Sequence, residues 1–552
     1  MYLKELQKLT KAYFLLQLAT CLLVLYIEKY IRINLKFMEH MNSKTDVLGH
    51  PRGLLYLFFA ELWERFSFYG MRALLVLYMT KHLLFSDEMS FGVYAAYMSL
   101  VYVTPMIGGM LADKILGFRK AIILGGVLMA LGHFFLTFEH PIFFYGSLSL
   151  IIVGNGFFKP NISSFVGKLY TEGDSRRDAG FTIFYMGINI GGAVAPLLCA
   201  WLAELYGWHY GFVLAGIGML LGLLVFKGGL RRNVFEDKGL VPNQKLYEEK
   251  QFGVKKGSLV TIAALLSVPV FALIVYYHEF EHYLVWIVSL LLILFLVRIL
   301  RTVTSKERKK LSVAIFFTVL YTLFAAIFEQ AGSSLTLFAD RNVNLVGMNA
   351  AQTNSINSTF IILMAIPFSM LWGYLHRIHR NPNSVIKFGL GLLFLGLGFI
   401  TFGLSGYQVD DFAKTPMVYL ILGYFILTTG ELFLSPIGLS KMTELSPVKY
   451  IAFIMGVWFS ANFYGHFFAG KIANLTTVVN GSLGVFSKGF FGEVTELLTG
   501  LSSKTVIKGP EVFHQLYSYV SVYANLGVVS VMIGLLIIAF YKPVKKWMFE
   551  VH

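Results

Sequence analysis

The apolar stretch from about Leu54 to Thr80 contains the segment Glu61-Leu-Trp-Glu64-Arg65-Phe-Ser-Phe68-Tyr69-Gly-Met-Arg72, which carries two carboxylates and two guanidiniums. An ionisable group at membrane depth costs roughly a few kcal/mol or more unless it is paired or faces a water-filled cavity. At roughly 100° per residue, Glu61, Glu64, Arg65, Phe68, Tyr69 and Arg72 fall within about 140° of one helical face, so lipid need not touch them. Two readings fit such a face. One is a static ion-pair network that fixes helix packing. The other is a proton and carboxylate site: an acid beside a guanidinium stays ionised until the partner leaves, and burial then favours its protonated form.

Further polar residues interrupt other apolar runs. Gly154-Asn-Gly-Phe-Phe-Lys159-Pro160-Asn161 places a lysine in a fourth run, where it either snorkels to the interface or lines a cavity. Pro160 leaves a carbonyl without its donor, which predicts a local break. Glu329, in Phe328-Glu329-Gln330, and Glu431, in Gly430-Glu431-Leu-Phe-Leu-Ser435-Pro436, each put one acid in an apolar helix, and Pro436 predicts a weakened helix just beyond Glu431. Asp113, in a basic connection, is placed to cap a helix end or pair across a gate. Asn189 either lines a pocket or hydrogen-bonds a neighbouring helix. His133 reads as a packed histidine. No phosphate loop, zinc spacing or hydrolase elbow stands in a suitable context, so no enzyme, metal or cofactor is expected.

The elements that hold these residues must be membrane helices. The chain has 552 residues, 56% hydrophobic and 14% charged, with 52 Gly and 51 Phe. Its mean hydropathy of +0.66 is too apolar for a soluble domain. The apolar runs are near the roughly 20 residues that a spanning helix needs, not the alternating segments of a barrel. The net charge of +15 sits in short loops, which points to a cytoplasmic face and anionic lipid, with no nucleic acid and no obligatory protein partner indicated. Cys21 and Cys199 lie inside apolar runs and read as packing residues.

Candidate spans lie near 54–80, 91–112, 119–138, 142–168, 180–205 and 209–227, then 257–277 and 281–301, then 311–338, 350–375, 385–405, 416–442, 451–476 and 515–541. This predicts fourteen helices: a bundle of six over 49–227, a linker over 228–310 with an added pair, and a second bundle of six over 311–552. Alternate connections are rich in Lys and Arg, whereas Asp87/Glu88, Glu279/Glu281 and Asp410/Asp411 occupy the others, so both ends of the core are expected in the cytoplasm. Segment 477–513 reads as the longest external loop. Residues 1–48 lie outside the core. Ala12 to Ile27 reads as an interfacial helix, a region ahead of a start at Met38 or Met41, or a further span.

Taken together, Glu61xxGlu64Arg65 with Phe68-Tyr69-Gly, the Asp113 loop, Lys159-Pro160-Asn161, Phe184-Tyr185xxIle188-Asn189xGly191 and Gly430-Glu431xxxSer435-Pro436 resemble the proton-dependent oligopeptide transporter family of the major facilitator superfamily, bacterial type. The resemblance covers about 54–541. It implies an all-α polytopic membrane protein with the major facilitator fold, in which two six-helix bundles alternate around a midplane site.

It also implies roles. Glu61, Glu64 and Arg65 would couple protons, with Lys159 and Glu329. Arg65, Tyr69, Arg72, Lys159, Asn189, Asn357, Glu431, Ser435 and Trp458 would bind substrate, Glu431 holding a peptide amino terminus and the cations its carboxylate. Asp113, Arg72 and Glu329 would gate, the last two pairing across the external side. The implied function is a proton symporter for di- and tripeptides in the cell membrane, with protons as the coupling ion; another small substrate such as an amino acid or nitrate is the alternative. The sequence departs from the family pattern at Phe68, where a tyrosine is common, and at Ala325, where a tryptophan is frequent. Both departures point to side-chain selectivity.

Overall fold

The computed structural model describes residues 46–47, 49–171, 173–478 and 483–549. The expected interfacial helix at Ala12 to Ile27 lies outside them. The chain enters through a two-residue hairpin, Asp46–Val47 against His50–Pro51, tied to the loop after the fourth long helix by Arg176 on Asp46 at 3.0 Å.

Six helices follow: α1 (Arg52–Lys81), α2 (Asp87–Leu111), α3 (Phe118–Phe135), α4 (Pro141–Lys168), α5 (Arg177–Tyr206) and α6 (Trp208–Arg231). The linker carries α7 (Lys256–Tyr276) and α8 (Glu281–Thr302). The second half holds α9 (Ser305–Phe328), α10 (Ser334–Asn342), α11 (Ser355–Arg377), α12 (Ser384–Leu404), α13 (Met417–Leu445), α14 (Ile451–Asn474), α15 (Gly489–Thr499) and α16 (Glu511–Ala539). Among the described residues, 12 helical segments are long and apolar enough to cross a membrane. Two further helices have comparable length: α1, with 30 residues, whose charges lower its apolarity, and α14, with 24.

Within the first half α1 packs on α5 and α6, and α4 on α2 and α3; within the second, α12 packs on α13 and α16, and α9 on α14. Small residues permit this closeness. A Cβ on Gly396 would lie 2.5 Å from the Gly527 carbonyl, and one on Gly527 would lie 2.7 Å from that of Gly396, so α12 and α16 touch backbone to backbone. The halves meet along α2 with α14 and α5 with α11. The linker helices bury only 17% of their apolar windows; hydrophobic all round, they suit lipid contact. Even so, α8 reaches the seam, since Val285 packs with Phe463 and Phe467 of α14 and with Val103 of α2.

The expected breaks fall elsewhere. Helices α4 and α13 run unbroken through Pro160 and Pro436, the loss of one hydrogen bond being tolerable in a helix held by its neighbours. The expected span 311–338 is instead interrupted without a proline: α9 stops at Phe328, a 3-10 turn covers Glu329–Gly332, and α10 restarts at Ser334. Side chains cover the freed backbone. Gln330 donates to the carbonyls of Ala326 at 3.1 Å and Ala469 at 3.0 Å, and Ser334 donates to Gln330 at 2.7 Å. Segment 477–513 is also no simple loop, because it contains α15, fastened by Asn525 donating to Thr495 at 2.9 Å.

The interruption has a steric purpose. A Cβ on Gly332 would strike the Tyr94 hydroxyl and come within 2.9 Å of the Arg72 guanidinium. Gly332→Ala is therefore expected to destabilise the protein by about 1–3 kcal/mol, read as a lower unfolding temperature in detergent. Gly146→Ala in α4, with open space around it, should stay within about 0.5 kcal/mol of the parent.

Candidate functional site

The charges of α1 divide into two groups along the helix. At its middle, Arg65 engages both oxygens of Glu64, through Nε to Oε2 and through Nη2 to Oε1 at 2.5 Å. Its Nε also lies 3.5 Å from Oε1 of Glu61, the oxygen to which the Lys159 ammonium donates from α4. Glu61 and Glu64 are both 0% exposed. Lys159 thus meets a carboxylate rather than snorkelling. Two acids and two cations compensate one another inside the first half, with the second oxygen of Glu61 left without a hydrogen-bond partner among the described residues. Asn155 accepts from Arg65 at 3.4 Å and donates to the Val101 carbonyl at 2.9 Å, fixing the network to α2.

Phe68 belongs to this packed side. It is 1% exposed, and the Arg65 guanidinium carbon lies 5.1 Å from its ring centroid. It therefore forms no wall of a cavity, which moves the aromatic surface of this face to Tyr69. That ring lies between the two arginines, 6.0 Å from each guanidinium carbon. Ala325, the other departure, sits where a Cβ on Gly465 would lie 2.6 Å from its own, so a small residue there lets α9 and α14 touch.

Two turns beyond Arg65, Arg72 crosses the seam. Its Nη2 donates to Oε2 of Glu329 in the interrupted turn after α9, and its Nε donates to the Tyr94 hydroxyl at 2.7 Å. The other oxygen of Glu329 lies 3.7 Å from Nε2 of His466 on α14, whose ring stacks on Tyr102 of α2 at 4.8 Å. Nearer the acidic connections the halves are joined again, by Lys81 on Asp340 at 2.5 Å and by Arg341 on both oxygens of Asp87, one at 2.7 Å. Asn349 adds a hydrogen bond to Glu204 at 2.7 Å. This end is latched.

The second half supplies an acid of different character. Glu431 accepts from Asn357 at 3.0 Å, and the same amide donates to Thr428 at 3.0 Å; among the described residues Glu431 has no cationic partner. Trp458, expected in the pocket, is buried with Tyr321 stacked on it at 4.6 Å, so Tyr321 presents the surface and Trp458 supports it. Asn189 donates to the Tyr185 carbonyl of its own helix at 3.0 Å rather than to a neighbour. Asp113, in a five-residue π-helical segment after α2, is exposed and caps no helix; Gly117 starts α3 without a side-chain cap. The Ser435 side chain lies outside the described residues. Tyr94, Tyr102, Tyr321 and His466 escaped the sequence reading, although the eight-residue spacing of Tyr94 and Tyr102 puts them on one helix face and His466 is a lone imidazole in an apolar run.

Residues 119–489 match the family described as POT family. The peptide transporter YePEPT of Yersinia enterocolitica is 36% identical over 77% of this chain and 88% of its own. The chain belongs to the POT family. A di-/tripeptide transporter of Lactococcus lactis is similarly related, with 33% identity over 77% of this chain and 90% of its own length. The solved structure of a mutant peptide transporter POT in complex with alafosfalin superimposes with a TM-score of 0.74 at 33% identity, covering 91% of this chain and 96% of that one. The protein is thus a multi-pass membrane transporter of major facilitator type, not an enzyme. Lys159, Glu329 and Glu431 lie inside the segment that matches the POT family, and the α1 charges lie outside it, ahead of α2.

The α1 network makes a testable demand. Lys159→Ala leaves Glu61 buried without its closest cation and is expected to cost about 3 kcal/mol, seen as a lower unfolding temperature. Adding Glu61→Gln should recover most of that loss. Equal and additive losses would show that the pair is not coupled.

Proposed function

We propose that this POT family member is a proton-coupled symporter that imports di- and tripeptides across a bacterial cell membrane by alternating access, with both ends of its helical core in the cytoplasm. The observation that carries the reading is the asymmetry of charge across the seam. The first half presents Arg65, Arg72 and Lys159, while Glu431 stands in the second half with an amide partner and, among the described residues, no cation. A zwitterionic peptide supplies what each wall lacks: its ammonium completes Glu431 and its carboxylate competes for Lys159 and Arg65. Charge-assisted contacts at both ends draw the halves together around it. The names of the Yersinia and Lactococcus relatives support the substrate class. A simple anion such as nitrate would satisfy only the first wall and be repelled by Glu431.

Proton coupling follows from the α1 network. While Glu64 is ionised it holds Arg65 by two hydrogen bonds, and while Glu61 is ionised it holds Lys159. A proton on either acid releases its cation to the peptide carboxylate, so substrate and proton favour the same state. When the peptide leaves, the cation returns to its acid and the proton is expelled. Arg72, Glu329 and the latches at Lys81 and Arg341 close the external side in this conformation.

Purified protein in liposomes should show dipeptide-dependent proton uptake. Glu64→Gln is expected to abolish gradient-driven accumulation while sparing peptide exchange; full accumulation by this variant would sink the coupling scheme. Glu431→Ala should weaken transport of peptides with a free amino terminus by about tenfold or more, the loss of one charge-assisted contact, and leave N-acetylated peptides no worse than in the parent. Equal transport of free and acetylated peptides by the parent would remove Glu431 from that role.

A further inference from the structure

The seam at Arg72 holds one group that the proposed transport scheme leaves unused. His466 is 1% exposed, and its Nε2 has no hydrogen-bond partner among the described residues. That nitrogen is aimed at Oε1 of Glu329 from 3.7 Å, too far for a hydrogen bond and close enough to form one with a small shift. Glu329 Oε2 is already taken by Arg72. Facing the imidazole are Glu329 from the turn after α9, Arg72 from α1, and the phenols of Tyr94 and Tyr102 from α2. Farther along the seam, the linker helix α8 contributes Glu281, also buried with an unpartnered oxygen, toward Lys471.

Ownership of these groups matters. Arg72 belongs to the first half, whereas Glu329 and His466 both belong to the second. Opening this end requires Arg72 to leave Glu329, and a buried carboxylate stripped of its cation is strongly destabilising. We infer that His466 is a proton-accepting residue of the external gate, which takes over Glu329 from Arg72 when it is protonated. A proton from the external water adds to Nε2, and the new N–H donates to Oε1 of Glu329. The carboxylate is then neutralised within its own half, and Arg72 is freed. When the halves close again Arg72 re-engages Glu329, and His466 gives up the proton. The Tyr102 ring, stacked on the imidazole, keeps Nε2 aimed at the carboxylate.

This inference rests on the proton-symport reading, and its test separates the two. The parent, His466→Gln and His466→Phe are compared in liposomes for gradient-driven dipeptide uptake from roughly pH 5 to 8, the window in which an imidazole titrates, and for dipeptide exchange without a gradient. Glutamine keeps a donor without titrating; phenylalanine keeps the stack on Tyr102. Both variants are expected to retain exchange and to lose the acid-side rise in uptake by about tenfold, equivalent to about 1.4 kcal/mol of differential stabilisation. Combining His466→Gln with Glu329→Gln should add nothing further, since both act at one step. If either variant keeps the parent's pH profile, His466 carries no gating proton. If exchange disappears in both, the role is structural and the inference also fails. A parent without dipeptide-dependent proton uptake would overturn the symport reading itself.

Discussion

The ion pair between Arg72 and Glu329 is the most deeply buried of the charged contacts that join the two halves, which also meet through apolar helix faces and through the pairs Lys81–Asp340 and Arg341–Asp87. Much of the surrounding architecture exists to let it form. The chain is interrupted between α9 and α10, where the carboxylate turns toward the seam, Gly332 leaves room for the guanidinium, and Gln330, held by Ser334, donates to the Ala326 carbonyl. In a low-dielectric surrounding neither partner tolerates isolation. The pair is therefore both a bond between the halves and an obstacle to parting them, as the proposed gating role requires.

The network around Glu61 has the opposite design. Its four charges lie on α1 and α4 of the same half, so relative motion of the halves need not break it. In the proposed scheme what disturbs it is chemistry: a proton or a competing carboxylate. Helix α1 thus carries a chemically sensitive cluster at its centre and a mechanically sensitive one two turns away, with Tyr69 between them. In the proposed transport scheme a single helix therefore carries both the proton-coupling groups and the gating arginine.

Much of this was legible in the chain. The apolar runs mark the helices within a few residues, and the acids in them mark the buried polar clusters, because burying a charge is too unfavourable to be accidental. The resemblance to relatives suggested that Arg72 meets Glu329 across 257 positions, a pairing that no local pattern encodes. Other features were hidden for physical reasons. A helical wheel cannot divide a face of about 140° into a packed side and an open one, so the burial of Phe68 beside Arg65 is not legible in the sequence. The break at Glu329 has no proline because its cause is tertiary, the covering of backbone by Gln330. The continuity of α4 and α13 through their prolines reflects support by neighbouring helices, which sequence does not display. Trp458 was placed in the pocket, but Tyr321, stacked on it, takes that surface.

The way charge is shared between the halves has an electrical consequence. Glu61 and Glu64 balance Arg65 and Lys159, so that cluster can shift across the membrane field with almost no work done against the voltage. Arg72 differs. Once separated from Glu329 it is an unbalanced positive charge, and each elementary charge moved through the full field is worth about 2.3 kcal/mol per 100 mV. Electrogenic movement in the empty carrier should therefore concentrate in the opening of this one contact. In the empty carrier, an inside-negative membrane potential would act through the parting of Arg72 from Glu329 rather than through the balanced cluster.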